Sequence, residues 1–404
     1  MSEQQIGARV RTRRVLLAVV GVLLVAACLR PAITAVGPVL DRIGADAGLG
    51  HGAEGLLAAL PLLAFAGMSP LTHQLGRRLG MDRTVLLALV LLIIGIVLRS
   101  AGVGGLLWIG TLLIGIAIAV NNVLVPAVVK RDFGSRIAVV TGAYTATMNT
   151  FAAIASGVAV PLAGLAIGVL TGWRLAVGVW AVLATIGMIV WAIRMRAVAD
   201  GRTLALDPPG PHHAIWRSPL AWQVTVNMGL QSTVFYTMVN WFPSIEAEAG
   251  VAPATAGLHL FLYQAIGIGA ALGASALMSR AADQRLIASM ITIPILISLT
   301  GMLILPQLVA VWAVLAGLTS GGSITVALAL IGFRTRLPAD TSRLSGMAQG
   351  VGYLLAAGGP FAAGWLRDAT GSWTPAIVMM IVLTLTQAVA GYLAGRSRYL
   401  GEPA

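Results

Sequence analysis

Apolar runs of about twenty residues, separated by short clusters of polar and basic residues, recur along almost the whole chain. They fall near residues 15–40, 53–75, 84–100, 105–129, 137–163, 173–193, 219–242, 255–279, 285–305, 309–333, 344–365 and 374–395. A helix rises about 1.5 Å per residue, so each run is long enough to cross the roughly 30 Å hydrocarbon core of a bilayer. Backbone in lipid must satisfy its own hydrogen bonds, which leaves helices or a closed barrel. A barrel would show short segments of alternating polarity, and these runs do not alternate. The pattern predicts an all-α membrane protein with twelve transmembrane helices.

The longest polar stretch, 194–218, lies between the sixth and seventh runs and contains Pro208, Pro209, Pro211, His212 and His213. Its composition suits a linker, dividing the chain into a six-helix half at 1–193 and a second at 219–404. Only 10% of the 404 residues are charged, against about a quarter in soluble domains. No stretch is left over for a large soluble domain. The net charge of +12 raises the question of nucleic acid, but its distribution excludes that reading. With the N-terminus placed in the cytoplasm, 21 of the 26 Arg and Lys residues fall on cytoplasmic segments, the asymmetry expected of an inserted membrane protein. Arg42, Arg99, Arg174 and Arg367 fall at or near the outer surface, and both termini are expected to be cytoplasmic. The basic N-terminus followed by Val25-Ala-Ala-Cys28 imitates a processing signal, but the apolar run continues past it and the expectation is no cleavage. The lone Cys28 cannot form an intrachain disulfide.

One charge stands inside a run. Arg30 lies roughly 24 Å along a helix from Arg14 and roughly 16 Å before Asp41, too deep for its guanidinium to reach water easily. Such a charge costs several kcal/mol unless it is paired or faces a polar cavity. Two readings are open: an anion-binding group in a cavity, or a structural Arg bonded to carbonyls freed by Pro31.

Several segments carry a family likeness. Leu29-Arg-Pro-Ala-Ile-Thr-Ala-Val-Gly-Pro38, Asn122-Val-Leu-Val-Pro126 with Lys130-Arg-Asp-Phe133, Thr141-Gly-Ala-Tyr-Thr145, Trp222-Gln-Val-Thr225, Met228-Gly-Leu-Gln-Ser232 and Ser345-Gly-Met-Ala-Gln349 with Gly352-Tyr353 resemble the cyanate/2-nitroimidazole transporter family of the major facilitator superfamily, over about 14–395. One departure is the loop Gly76-Arg-Arg-Leu-Gly-Met-Asp-Arg83, whose Asp82 comes later than in the superfamily's common loop motif. That puts the gating contact at this loop in question. The resemblance implies two six-helix halves and secondary transport, by alternating access across the cytoplasmic (inner) membrane, of a small anion or compact polar solute: a cyanate-like anion or a nitroimidazole-like heterocycle. It implies a monomer with no cofactor. The alternative on the same fold is a multidrug or antibiotic exporter, and a non-transporting sensor is the reading from another class.

The resemblance further implies a cavity between the halves. Its candidate substrate-binding residues are Arg30, Asn122, Tyr144, Gln231, Tyr236, Tyr263, Gln349 and Tyr353. Thr141, Thr145 and Asn149 share a face at four-residue spacing, as do Asn227 and Gln231. Asn121, Asn122 and Gln349 have an equally plain alternative as hydrogen-bonding ties between helices. His259 is the candidate carrier for a coupled H+, against a structural histidine. No Asp or Glu is expected inside a span; Asp41, Glu246 and Glu248 are placed at the outer surface. The Gly-rich pieces at 317–322 and 357–364 suit close helix packing and bending. No metal-ligand spacing, phosphate-binding loop or nucleophile with a base is present, so catalysis is not expected.

Overall fold

The computed structural model describes residues 3–101, 104–133, 137–167, 170–197, 215–336 and 338–401. Arg136, Arg202 and the Pro/His segment 208–213 lie outside the described residues, as does most of the expected linker.

The described residues are almost wholly helical. The first pass is α1 (Glu3–Leu29), a four-residue α2 (Pro31–Thr34), a 3-10 turn (Gly37–Val39) and α3 (Leu40–Ala47). There follow α4 (His51–Leu79), α5 (Met81–Ser100), α6 (Gly104–Phe133), α7 (Ile137–Ala163) and a pass made of α8 (Trp173–Gly178) and α9 (Trp180–Ala197). A small hairpin, β1 (Ala166–Ile167) antiparallel to β2 (Leu170–Thr171), precedes α8. The second half consists of α10 (Pro219–Glu248), α11 (Pro253–Arg280), a pass made of α12 (Arg285–Met290) and α13 (Ile293–Ile304), then α14 (Val309–Phe333), α15 (Pro338–Thr370) and α16 (Thr374–Ala394). These make twelve passes.

Local chemistry explains the boundaries. Ser218 caps α10 by accepting from Ala221 N, and Pro219 and Pro253 open their helices where a missing N–H costs nothing. Gly80 links α4 to α5 at φ 85°, a conformation that favours glycine. Ten passes are long and apolar enough to cross a membrane. The two that fall short, α10 and α15, carry polar residues along their length, and α10 is buried over most of its second half. Asn227, Gln231, Thr237 and Asn240 of α10 are buried within protein.

Helices α1–α9 pack among themselves, as do α10–α16, and the two halves meet mainly along α4–α15 and α7–α11. Glycine sets the closest crossings. A Cβ at Gly321 would overlap the backbone of Gly267 where α14 crosses α11, and one at Gly364 would overlap the backbone carbonyl of His51 where α15 crosses α4.

At one end of the bundle lie the basic clusters. Here Asp82 accepts from Arg131 at 2.6 and 3.1 Å and from Arg194 at 2.6 Å. Asp132 binds the same two guanidiniums, and Arg194 stacks 4.1 Å above the Trp191 ring. The loop departure therefore leaves a contact intact: Asp82, late in the motif, still anchors α5 to α6 and α9. In the second half Arg334 bonds the Gln284 side chain.

At the opposite end, two groups expected near the outer surface sit at helix ends and are covered by protein. Arg99, expected near the surface, is 2% exposed. Glu246, also expected there, is fully buried and accepts from or donates to His259 Nδ1 at 2.7 Å. Glu54, in the first turn of α4, is buried as well. The positional count along the chain put these groups near helix ends, but neighbouring helices and the first-span break cover them.

Glycine packing at the α11–α14 crossing gives a direct test. Gly321→Val is expected to lower stability by about 1–3 kcal/mol through overpacking, read as a fall in melting temperature in detergent. Gly269→Val on α11, where a Cβ meets open space, is expected to change it by no more than about 0.5 kcal/mol.

Candidate functional site

Pro31 determines where the first pass breaks. It has no N–H to continue the α1 hydrogen-bond ladder, so α1 ends at Leu29 and α2 begins at Pro31. The carbonyl of Arg30 starts the next turn, accepting from Ile33 N and Thr34 N, both at 2.9 Å. Irregular backbone at this depth is tolerated where protein or a cavity surrounds it. Gly37 packs against the Val239 carbonyl of α10, and Thr34 Oγ1 donates to the Ala152 carbonyl of α7. The break thus sits between the halves.

The Arg30 side chain crosses to the other half. Its Nη1 donates to Tyr236 Oη at 3.2 Å, the single side-chain hydrogen bond it makes among the described residues. Its guanidinium carbon lies 5.7 Å from the Phe235 ring centre and 6.0 Å from that of Tyr236, within cation–π range. Among the described residues no main-chain oxygen accepts from its nitrogens.

Beside it is a cavity with about 550 Å³ of space between its walls, part of it open to solvent. Arg30, Asn149 and Ala152 line it from the first half. Gln231, Ser232, Phe235 and Tyr236 come from α10, Gln264 and Gly267 from α11, Ser320, Gly321 and Ile324 from α14, and Tyr353 from α15. No Asp or Glu is among these lining residues. The wall is therefore one guanidinium, several amides and hydroxyls, and aromatic faces.

The site candidates divide by position. Arg30, Gln231, Tyr236 and Tyr353 line the cavity together. Gln231 Nε2 reaches Ser232 Oγ at 2.5 Å, and Tyr353 meets the Phe65 ring of α4 edge-on at 5.3 Å. Tyr144 is buried in an apolar cluster that also takes in Tyr236 and is not among the lining residues. Tyr263 is buried behind Phe235, stacked on it at 6.1 Å. Asn122 and Gln349 are half-buried outside the lining, Gln349 donating to Ser345 Oγ at 2.8 Å. Asn121 is fully buried, with neither amide atom bonded. His259 is away from the cavity, against Glu246. Phe235, Ser320 and Ile324 were not legible in advance. Phe235 adjoins Tyr236, and only that aromatic pair could have signalled it.

The cavity is shut on the side away from the basic clusters. His51 on α4 meets Asp368 on α15 at 2.8 Å (Nδ1 to Oδ1), and Gly52 N donates to Asp368 Oδ2 at 2.6 Å. Ser244 Oγ donates to Asp41 Oδ1 at 2.8 Å, and Gln264 Nε2 to Ser156 Oγ at 2.6 Å. The rings of His51, Trp241 and Trp373 pack together there. Toward the basic end, glycines on the facing helices (Gly67, Gly142, Gly346 and Gly350) have open space where a Cβ would stand.

Comparison with known proteins agrees with this architecture. The family profile of the Major Facilitator Superfamily matches residues 22–337. The chain is 42% identical to the uncharacterized transporter YycB of Bacillus subtilis, covering 95% of this chain and 94% of that one. It is 37% identical to a 2-nitroimidazole transporter of Escherichia coli, over 96% and 97% of the two chains. To the cyanate transport protein CynX of the same species it is 27% identical, over 85% and 88%. Among solved structures, a bacterial homolog of the human lysosomal transporter Spinster aligns with a TM-score of 0.74 at 15% identity, over 96% and 98% of the chains.

Because the Arg30–Tyr236 bond borders a cavity partly open to solvent, water is expected to be able to replace the hydroxyl. Tyr236→Phe is expected to cost less than about 1 kcal/mol, while Tyr236→Ala, which also removes the ring packed beside Arg30 and Phe235, is expected to cost about 3–5 kcal/mol. Melting temperatures of the purified variants in detergent would separate the two; equal losses would mean the hydroxyl itself is buried and irreplaceable.

Proposed function

Because the chain belongs to the Major Facilitator Superfamily, whose members are secondary transporters embedded in the membrane by many passes, we propose that its cargo is a small anion or a compact polar heterocycle: a cyanate-like anion or a nitroimidazole-like ring. The observation that carries this reading is a guanidinium with one protein hydrogen bond, facing a cavity whose lining holds no carboxylate. A guanidinium presents five donors in a planar fork, matched to the paired oxygens of a nitro group or the ends of a small anion. The nearby Phe235, Tyr236 and Tyr353 rings offer flat faces to a planar solute. The same lining argues against an exporter of organic cations, which would need negative charge to offset the Arg30 charge. Relatives whose names carry cyanate and 2-nitroimidazole add support.

The mechanism follows from the two ends. With the basic clusters on the cytoplasmic face, as the positive-inside asymmetry favours, the cavity opens to the cytoplasm while the His51–Asp368 and Asp41–Ser244 contacts close the outer side. Alternating access would release these contacts and bring α4, α7, α11 and α15 together at the cytoplasmic end, with Arg30 near the middle of the motion. Rigid rocking of repeat-built halves about a midplane site is the general form of such transport. An anion held by Arg30 while the Tyr236 bond is kept or exchanged would couple the two halves directly. A coupled proton is not required by this account, since the Glu246–His259 pair lies away from the cavity.

Uptake of cyanate and of 2-nitroimidazole by purified protein in liposomes tests the assignment. Arg30→Ala is expected to weaken apparent affinity about tenfold or more, the cost of losing charge-assisted hydrogen bonds. Arg30→Lys, which keeps the charge but not the planar fork, is expected to fall between. Unchanged affinity in Arg30→Ala would remove the guanidinium from substrate binding.

A further inference from the structure

Three amides line the large cavity: Asn149 from the first half, Gln231 and Gln264 from the second. Two are already committed. Gln231 Nε2 is taken by Ser232 Oγ at 2.5 Å and Gln264 Nε2 by Ser156 Oγ at 2.6 Å, with Gln264 Oε1 covered by protein. Asn149 differs from both. It is half-buried, neither of its amide atoms has a hydrogen-bond partner among the described residues, and neither is covered. Its carbonyl oxygen and its NH2 both stand free at the cavity wall.

The helix contacts place Asn149 at the depth of Arg30. The first pass and α7, the fifth pass, cross in the same sense. Thr34 Oγ1 donates to the Ala152 carbonyl at 3.0 Å, and Ser156 Oγ donates to the Thr34 carbonyl at 3.0 Å, which sets the register between the two passes. One helical turn back from Thr34 is Arg30, and about one turn back from Ala152 is Asn149. The guanidinium and the free amide therefore stand at one level of the cavity, to which α10 brings the Phe235 and Tyr236 rings.

The two groups offer different things. A guanidinium only donates, so it holds acceptors such as a nitro group or an anionic end. The Asn149 NH2 repeats what Arg30 already supplies, but its oxygen accepts, and nothing ties the amide against turning that oxygen inward. A solute that fills the cavity displaces water from it. A solute with no donor of its own then leaves the oxygen unpaired, and a site built this way rejects the ligand that lacks the matching N–H. A planar ring with an acceptor group at one edge and an N–H at another satisfies both residues while resting a face on Phe235. On the footing of the cargo reading above, we propose that Asn149 is a specificity-determining residue. Its Oδ1 accepts from the ring N–H of a compact azole whose nitro or anionic group lies on Arg30, so the preferred heterocycle is one that keeps its N–H.

Equilibrium binding to the purified full-length protein tests this with two probes, 2-nitroimidazole and 1-methyl-2-nitroimidazole, in mildly acidic buffer so that the unmethylated ring keeps its proton. The two share the nitro group and differ at the N–H. Wild-type protein is expected to bind the N–H ring roughly three- to tenfold more tightly, the strength of one neutral hydrogen bond. Asn149→Leu, close in size to asparagine and without hydrogen-bonding atoms, is expected to bind both rings with nearly equal affinity. A methyl group that merely collided with the wall would keep its penalty in that variant. Equal binding of the two rings by the wild type, or an undiminished preference in Asn149→Leu, would overturn the proposal while leaving the Arg30 assignment untouched. Should the Leu variant not fold, Asn149→Met is read in the same way, and the wild-type comparison stands by itself. Binding of neither ring to the wild type would overturn this inference together with the heterocycle reading.

Discussion

The bond from Arg30 to Tyr236 joins the two halves of this bundle at the depth where the chain can least tolerate an unpaired charge. Nearly every feature of the site follows from it. Pro31 interrupts the first pass, the interruption brings Arg30 between the halves, and the polar faces of α10 and α15 gather where the guanidinium points. A wholly apolar α10 would leave the charge stranded in hydrocarbon. A carboxylate beside it would neutralise the charge and leave nothing to attract an anion. What is present instead is a phenol, a face of aromatic rings and a cavity, which together stabilise the charge incompletely and leave donors free.

The closing contacts divide the structure into a fixed and an open end. His51–Asp368 and Asp41–Ser244 are short, polar and partly exposed, so each contributes little on its own. Together with the glycine-mediated approach of α15 to α4 they hold one end shut without a large apolar interface. Contacts of this kind can be exchanged for others at the opposite end at small net cost, as a transporter cycling between two states requires. The Asp82–Arg131–Arg194–Asp132 cluster, by contrast, ties α5, α6 and α9 within one half, and would move with it as a unit.

Much of this was legible in the sequence because lipid imposes so strict a grammar. Twelve apolar runs, the alternation of basic clusters and the isolated Arg30 each reflect a free-energy cost large enough to leave a clear mark. Among the polar residues at helical spacing, Gln231, Tyr236 and Tyr353 line one cavity with Arg30. The spacing could not tell which side of a polar helix faces the cavity and which faces a neighbour, so Tyr144, Tyr263, Asn122 and Gln349 fall outside the lining. The burial of Arg99 and Glu246 was hidden for a related reason. Distance from the end of an apolar run measures depth along one helix, whereas burial depends on the helices packed around it, and those are set by pairings such as Ala32 with Arg99 across 67 residues.

The most direct test of the central claim is a crystal structure of the protein soaked with selenocyanate, a linear anion whose selenium can be located by anomalous scattering. The account predicts a selenium peak inside the large cavity, with the anion against Arg30 and the rings of Phe235 and Tyr236. A protein that transports cyanate yet shows no peak there, with the Arg30 nitrogens closed off by main-chain oxygens, would contradict it.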